Sequence, residues 1–144
     1  MPYSQAERAT LFASATRTAA IANSAGASVG LGFRPIVLLL NVTATAGAAG
    51  DVLNVFVDVL GPDGATWINA VHFTQVAGDS AAIQHFAVLD ASAPAATTFN
   101  VATDCAAGVT KPYVSGGEVR GRYTLVDAGA HGQSVTFSLT ASAG

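Results

Sequence analysis

The sequence predicts an all-β protein: an antiparallel β-sandwich or flattened barrel of about eight or nine short strands, with an N-terminal arm. Three observations carry that expectation. Apolar and polar residues alternate over short runs, most cleanly in Val135-Thr136-Phe137-Ser138-Leu139-Thr140-Ala141. Turn residues punctuate the chain about every eight to fourteen positions, with Gly61-Pro62-Asp63-Gly64 the strongest case. No stretch carries an apolar stripe at the three-to-four spacing of a helix.

The longest patterned stretch, residues 34–75, reads as a three-stranded meander around which the rest is built. In its first strand Ile36, Leu38, Leu40 and Val42 face one way, and Val37, Leu39, Asn41 and Thr43 the other. The first half is therefore apolar on both faces, as when another chain segment covers it. A loop, Ala46 to Asp51, leads to a second strand with Leu53, Val55, Val57 and Val59 on one side and Asn54, Phe56, Asp58 and Leu60 on the other. Pro62 at the second turn position, followed by Asp63-Gly64, describes a type I turn running into a glycine at positive φ. Trp67 comes next and is expected to cap one end of the core, so that Trp67→Ala costs about 3–5 kcal/mol. The predicted core is Leu38, Leu40, Val55, Val57, Trp67, Phe73, Tyr123, Phe137 and Leu139.

Met1 to Ala9 is polar and patternless, an arm or a short helix opened by Ser4-Gln5-Ala6-Glu7. Thr10 to Ile21 is read as strand, because Thr16, Thr18 and Ile21 fit that spacing better than a helical one. Asn23-Ser24-Ala25-Gly26 reads as a turn, Val29 to Phe33 as a short strand, and Pro35 as the first residue of the next strand. Val76 to Ser80 is a turn, Ile83 to Leu89 a strand, Ala91 to Ala96 a loop and Thr97 to Thr103 a strand. Ala106 to Gly117 is the longest irregular piece, followed by a strand from Val119 to Val126 and a turn from Asp127 to Gly132. Residues 1–22 are assigned to the arm and first strand, and residues 23–144 to the β-sandwich domain.

A chain of 144 residues is a one-domain length. Only 10% of residues are charged and mean hydropathy is +0.46. A surface so short of charge predicts that part of it is covered by a partner. The net charge of −3 argues against a nucleic-acid binder, and the nearest thing to a basic patch, Arg120 and Arg122, is flanked by Glu118 and Asp127. Cys105 stands alone, which rules out an internal disulfide and a Cys-based metal site and predicts a small buried hydrophobe. The apolar run 36–40 is too short to cross a bilayer, and no signal-like segment opens the chain. A soluble protein without a membrane partner is expected.

Catalytic chemistry is not written in the sequence. His72, His85 and His131 are the only histidines; His72 and His85 fall on strands that can be neighbours, but no carboxylate lies beside either. Gly-x-Ser-x-Gly is absent, and neither Gly30-Leu31-Gly32 nor Gly116-Gly117 opens a helix that would cradle phosphate. The aspartates mark turns rather than a calcium loop. The expectation is no catalytic residue, no cofactor and no metal: not an enzyme.

A set of segments goes further: Arg34-Pro35-Ile36-Val37-Leu38-Leu39-Leu40-Asn41-Val42-Thr43-Ala44, Gly61-Pro62-Asp63-Gly64-Ala65-Thr66-Trp67, Phe73-Thr74, Arg120-Gly121-Arg122-Tyr123 and Ser134-Val135-Thr136-Phe137-Ser138-Leu139. In this combination the chain, over roughly residues 11–141, resembles small structural proteins of tailed bacteriophages. Residues 91–117, with Cys105, depart from that pattern. The resemblance implies a head decoration (cement) protein on the capsid exterior, assembled in the host cytoplasm. Its partners would be the major capsid protein and further copies of itself, as a trimer, with no nucleic acid and no membrane. On that reading the contacts fall to Tyr3, Gln5, Arg8, Leu11, Phe12 and Arg17, within Met1–Ala22, and to Arg120 and Arg122. The alternatives are a minor tail or head–tail joining protein, or a β-sandwich module that binds carbohydrate or a cell surface.

Overall fold

The computed structural model describes residues 7–18, 21–25, 29–30, 35–90, 100–111, 118–129 and 132–143. Among them the chain forms strands and no helix: β1 (Glu7–Thr18), β2 (Ile21–Ala25), β3 (Val29–Gly30), β4 (Ile36–Ala46), β5 (Val52–Leu60), β6 (Trp67–His72), β7 (Val76–Ala77), β8 (Ile83–Leu89), β9 (Val109–Thr110), β10 (Glu118–Val126) and β11 (Ser134–Ala143). One sheet has the order β1-β11-β4-β8 and the other β2-β10-β5-β6-β9, with β3 also on β10 and β7 on β5. Every described pairing is antiparallel. This is the β-sandwich that the alternation predicts.

Period-two patterning places the core between the sheets. Leu38, Leu40 and Val42 of β4 and Phe137 and Leu139 of β11 meet Leu53, Val55, Val57 and Val59 of β5 and Val119, Tyr123 and Leu125 of β10. Phe12, Tyr123 and Phe137 pack edge to face, with ring centroids 5.3–5.8 Å apart. Leu11 and Phe12 are buried here, and β1 pairs with β11 from Glu7↔Ala143 to Thr18↔Ser134. The first strand therefore begins at Glu7, inside the stretch read as patternless, and is built into the sandwich.

Several expectations are corrected. Strands β4, β5 and β6 are not one meander: β5 and β6 form the expected hairpin, but β4 lies in the opposite sheet between β11 and β8. The reason sits in the connecting loop. The buried Asp51 carboxylate accepts from the backbone N–H of Ala48 (2.8 Å) and of Ala128 (2.9 Å). That ties the loop across the end of the sandwich instead of letting it close a hairpin. Asn23 to Ala25 belong to β2, paired with β10, rather than to a turn; cross-strand pairing overrides the turn propensity of Asn and Ser. Val76–Ala77 pairs with β5 and Val109–Thr110 with β6, both inside stretches read as irregular. Asn100 to Thr103 make a turn, closed by Thr103 N–H on the Asn100 carbonyl (3.1 Å), rather than the end of a strand.

Trp67 is not in the core. It pairs across the hairpin with Leu60, on the face of β5 that points away from the opposite sheet, and remains partly exposed. The cost expected for a buried tryptophan does not apply. The turn before it follows its chemistry: Gly64 has φ 68°, and Asp63 accepts from the N–H of Ala65 and Thr66 (3.0 and 2.8 Å) and from the Thr66 hydroxyl.

Two predictions follow from this packing. A Cβ on Gly121 would meet Phe12 Cε2 at 2.6 Å and Leu139 Cδ2 at 3.0 Å, so Gly121→Ala should destabilise by about 1–3 kcal/mol in urea unfolding. The Thr66 hydroxyl and N–H, with the Ala65 N–H, hold the Asp63 carboxyl down at about 2. A carboxyl lowered on folding adds stability above its unfolded value, and that stability is lost as pH falls through the folded one. Carboxyl NMR titration should place Asp63 near 2, and Thr66→Val should move it upward.

Candidate functional site

The two sheets present very different outer faces. On the second sheet, Asp58 of β5 points away from the core yet is buried. It sits between two cations of β10, Arg120 Nε and Arg122 Nε, each 3.1 Å from its Oδ2. Arg122 continues to Asp104, 2.6 Å from its Nη2. Burial pulls the Arg122 guanidinium down, but its hydrogen bonds and charge contacts with Asp104 and Asp58 outweigh this and raise it. Both arginines also lie over rings, Arg120 4.4 Å from the Trp67 centroid and Arg122 4.2 Å from that of Phe56.

Residues 100–111 cover this face. Asn69 Oδ1 accepts from the Cys105 N–H (2.7 Å), and His72 Nδ1 lies 2.9 Å from the Cys105 carbonyl. His72 Nε2 is 3.0 Å from Asn54 Oδ1, and its ring stacks 4.2 Å from Phe56. Lys111 N–H reaches the Ala70 carbonyl at 2.7 Å, extending the sheet through β9. Burial pushes the Cys105 thiol up, away from the thiolate form that reacts. This is a polar lid that fastens one segment onto a sheet.

The histidines are not brought together as a site. His72 is held by Cys105 and Asn54; His85, on β8, faces it only across a cleft of about 80 Å³ that Thr74, Gly108 and Thr110 also line. His131 lies outside the described residues. Among the described residues no three His, Cys, Asp or Glu side chains gather as a metal ion would need.

The outer face of the first sheet carries an exposed apolar block among its polar residues. Val37 and Leu39 of β4 are 47% and 38% exposed, and Phe86 and Val88 of β8 are 74% and 43% exposed. Register makes them one block, Val37 opposite Val88 and Leu39 opposite Phe86. Beside the block runs a groove of about 480 Å³ over β11, lined by Arg8, Thr10, Val37, Leu39, Thr140 and Ser142 among others. Apolar cross-strand neighbours left in water are a mark of a contact surface.

Of the residues expected to make contacts, Arg8 is exposed at this groove, while Tyr3 and Gln5 lie outside the described residues. Leu11 and Phe12 are in the chain's own core and cannot face a partner. Arg17 covers the aromatic triad, 4.1 Å from the Phe137 centroid, and donates to the carbonyls of Ala13, Ala15 and Phe137. Arg120 and Arg122 hold Asp58 in mid-sheet rather than at an edge. The block of Val37, Leu39, Phe86 and Val88 was missed as a site. Its signal lies in the first half of β4, apolar on both faces, which period-two patterning reads as covered by another chain segment.

No family model matches the chain, and no curated protein does. Solved structures do. The chain is similar to the VP2 subviral particle of infectious bursal disease virus, with a TM-score of 0.53 and 10% identity over 96% of this chain and 32% of that one. Structures of the Gx and Gt strains of the same virus give TM-scores of 0.51 and 0.50 at 11% and 10% identity. The chain spans about a third of the length of those chains. The likeness is one of fold: a β-sandwich shared with proteins of a virus.

Asp58 is the pivot of the polar face, and Asp58→Ala leaves two partly buried cations without their shared carboxylate. Chemical denaturation should show a loss of about 3–5 kcal/mol, with a smaller loss when Arg120→Met accompanies it.

Proposed function

We propose that this protein is a structural component of a virus particle: a decoration (cement) protein that binds the outside of a phage head and clamps neighbouring shell subunits. The observation that carries the reading is the likeness to infectious bursal disease virus structures over 96% of the chain. The surface supports it. A sandwich with few charges and an uncovered apolar face is suited to being pressed against other protein rather than to turning over a small molecule.

The mechanism is mechanical. A rigid two-sheet body, with one outer face sealed by its own polar lid, transmits load between contacts without deforming. Each contact is modest, but repetition over a shell multiplies it, because a copy held at one contact meets the next at high effective concentration. Tyr3 and Gln5, with Arg8 at the groove rim, are the proposed shell contacts, and the major capsid protein is the proposed partner.

Copy number separates this role from a connector. A cement protein should be present at on the order of hundreds of copies per particle, against about a dozen for a head–tail joining protein. Quantitative mass spectrometry of purified particles, with electron microscopy to place the density, gives the answer; absence from the particle defeats the proposal. Deleting residues 1–6 should weaken binding to empty shells, and undiminished binding would remove that segment from the contact.

A further inference from the structure

The apolar outer face of the first sheet has a profile as well as a chemistry. Register aligns Thr140, Leu39 and Phe86 in one row across β11, β4 and β8, and Ser142, Val37 and Val88 in the next but one. Small hydroxyl residues on β11 make a low floor, the groove described above. Phe86 and Val88 on β8 make a ridge, with Phe86 the most protruding of the exposed large hydrophobic side chains among the described residues, at 74%. Floor and ridge lie one strand to either side of β4, in the same rows.

We propose that this face packs on the same face of a second copy, about a two-fold axis along β4, each copy seating its Phe86 and Val88 in the other's groove. The inference rests on reading this face as a covered one, and it names what covers it. A half-turn about an axis above β4 and parallel to it carries β8 over β11 and β11 over β8. Because that operation leaves position along the strand unchanged, Phe86 arrives over Thr140 and Val88 over Ser142. Leu39 meets its own mate on the axis. The result is an isologous contact, ridge into groove twice, with sheets stacked about 10 Å apart as in a sandwich.

Charge permits the arrangement. Among the described residues Arg8 is the charged side chain that lines the groove, and it stands on β1, two strands from the axis. The half-turn therefore carries the two Arg8 side chains to opposite rims, about four strand spacings or roughly 19 Å apart, beyond the screening length of physiological salt. Three strands overlap over the seven residues of β8, a patch of roughly 14 by 23 Å, about 320 Å² per copy and about 650 Å² in all, which is the size of a weak, transient contact and below that of a stable dimer. Such a contact dissociates on dilution and holds when copies are crowded on a surface.

Sedimentation velocity of the full chain between about 5 and 200 µM tests this. The expected result is a monomer that becomes a dimer as concentration rises. Phe86→Asp should move the dimerisation midpoint up by at least about tenfold, and Leu39→Asp likewise. Both side chains are exposed, and circular dichroism checks that each variant keeps its sheets. Leu39→Cys should give a covalent dimer on oxidation, since the axis brings that position against its mate, while the buried Cys105 stays silent. A monomer at every concentration, a three-copy mass such as the bacteriophage resemblance implies, or a dimer indifferent to Phe86→Asp overturns the proposal. A protein found on particles yet monomeric in solution would sink this contact alone, and a dimer absent from particles would sink the virion role alone.

Discussion

Side chains along a strand alternate between two faces, so the run Ile36 to Leu40 commits bulky apolar groups to both sides of its sheet at once. Its inner set, Ile36, Leu38 and Leu40, is almost wholly removed from water and anchors the core from the middle of the first sheet. Its outer set, Val37 and Leu39, stays exposed. The same alternation that builds the fold thus leaves an apolar block outside it, and β8 doubles that block by pairing Phe86 and Val88 alongside.

The second sheet meets a similar problem differently. Phe56 and Asp58 point outward from β5 and are nonetheless buried, because the chain folds its own residues 100–111 over them. Burying a carboxylate is costly unless it is fully paired, and Asp58 is held by two guanidinium groups and by Asn69 Nδ2 at 3.1 Å. One outer face is therefore completed intramolecularly with polar contacts, and the other leaves an apolar block exposed. That asymmetry gives the molecule a direction.

Much of the fold was legible because it depends on local pattern. The strand runs, the Pro62-Asp63-Gly64 turn and the inward set Leu38, Leu40, Val55, Val57, Phe137 and Leu139 follow from alternation and turn chemistry alone. What escaped depends on partners distant in sequence. Whether the loop after β4 closes a hairpin or crosses between sheets is decided by Asp51 finding the Ala128 N–H, 77 positions away. Trp67 looked like core by size, but its place opposite Leu60 puts it outside. Arg120 and Arg122 read as surface charges until the lone Asp58 across the ladder showed why they are there. The apolar block was visible as composition and invisible as a site, since period two says which face a residue takes but not whether anything covers it.

The pairing of β1 with β11 has a consequence for how the protein is made. Thr16 and Thr136 share a hydrogen bond across 120 positions, and Phe12 completes an aromatic group whose other members come from β10 and β11. During synthesis the first strand leaves the ribosome long before its mate exists, and native pairing must wait for β11. Until then Leu11 and Phe12 lack the strand that buries them, so the synthesis of β11 marks the point from which the first sheet can close.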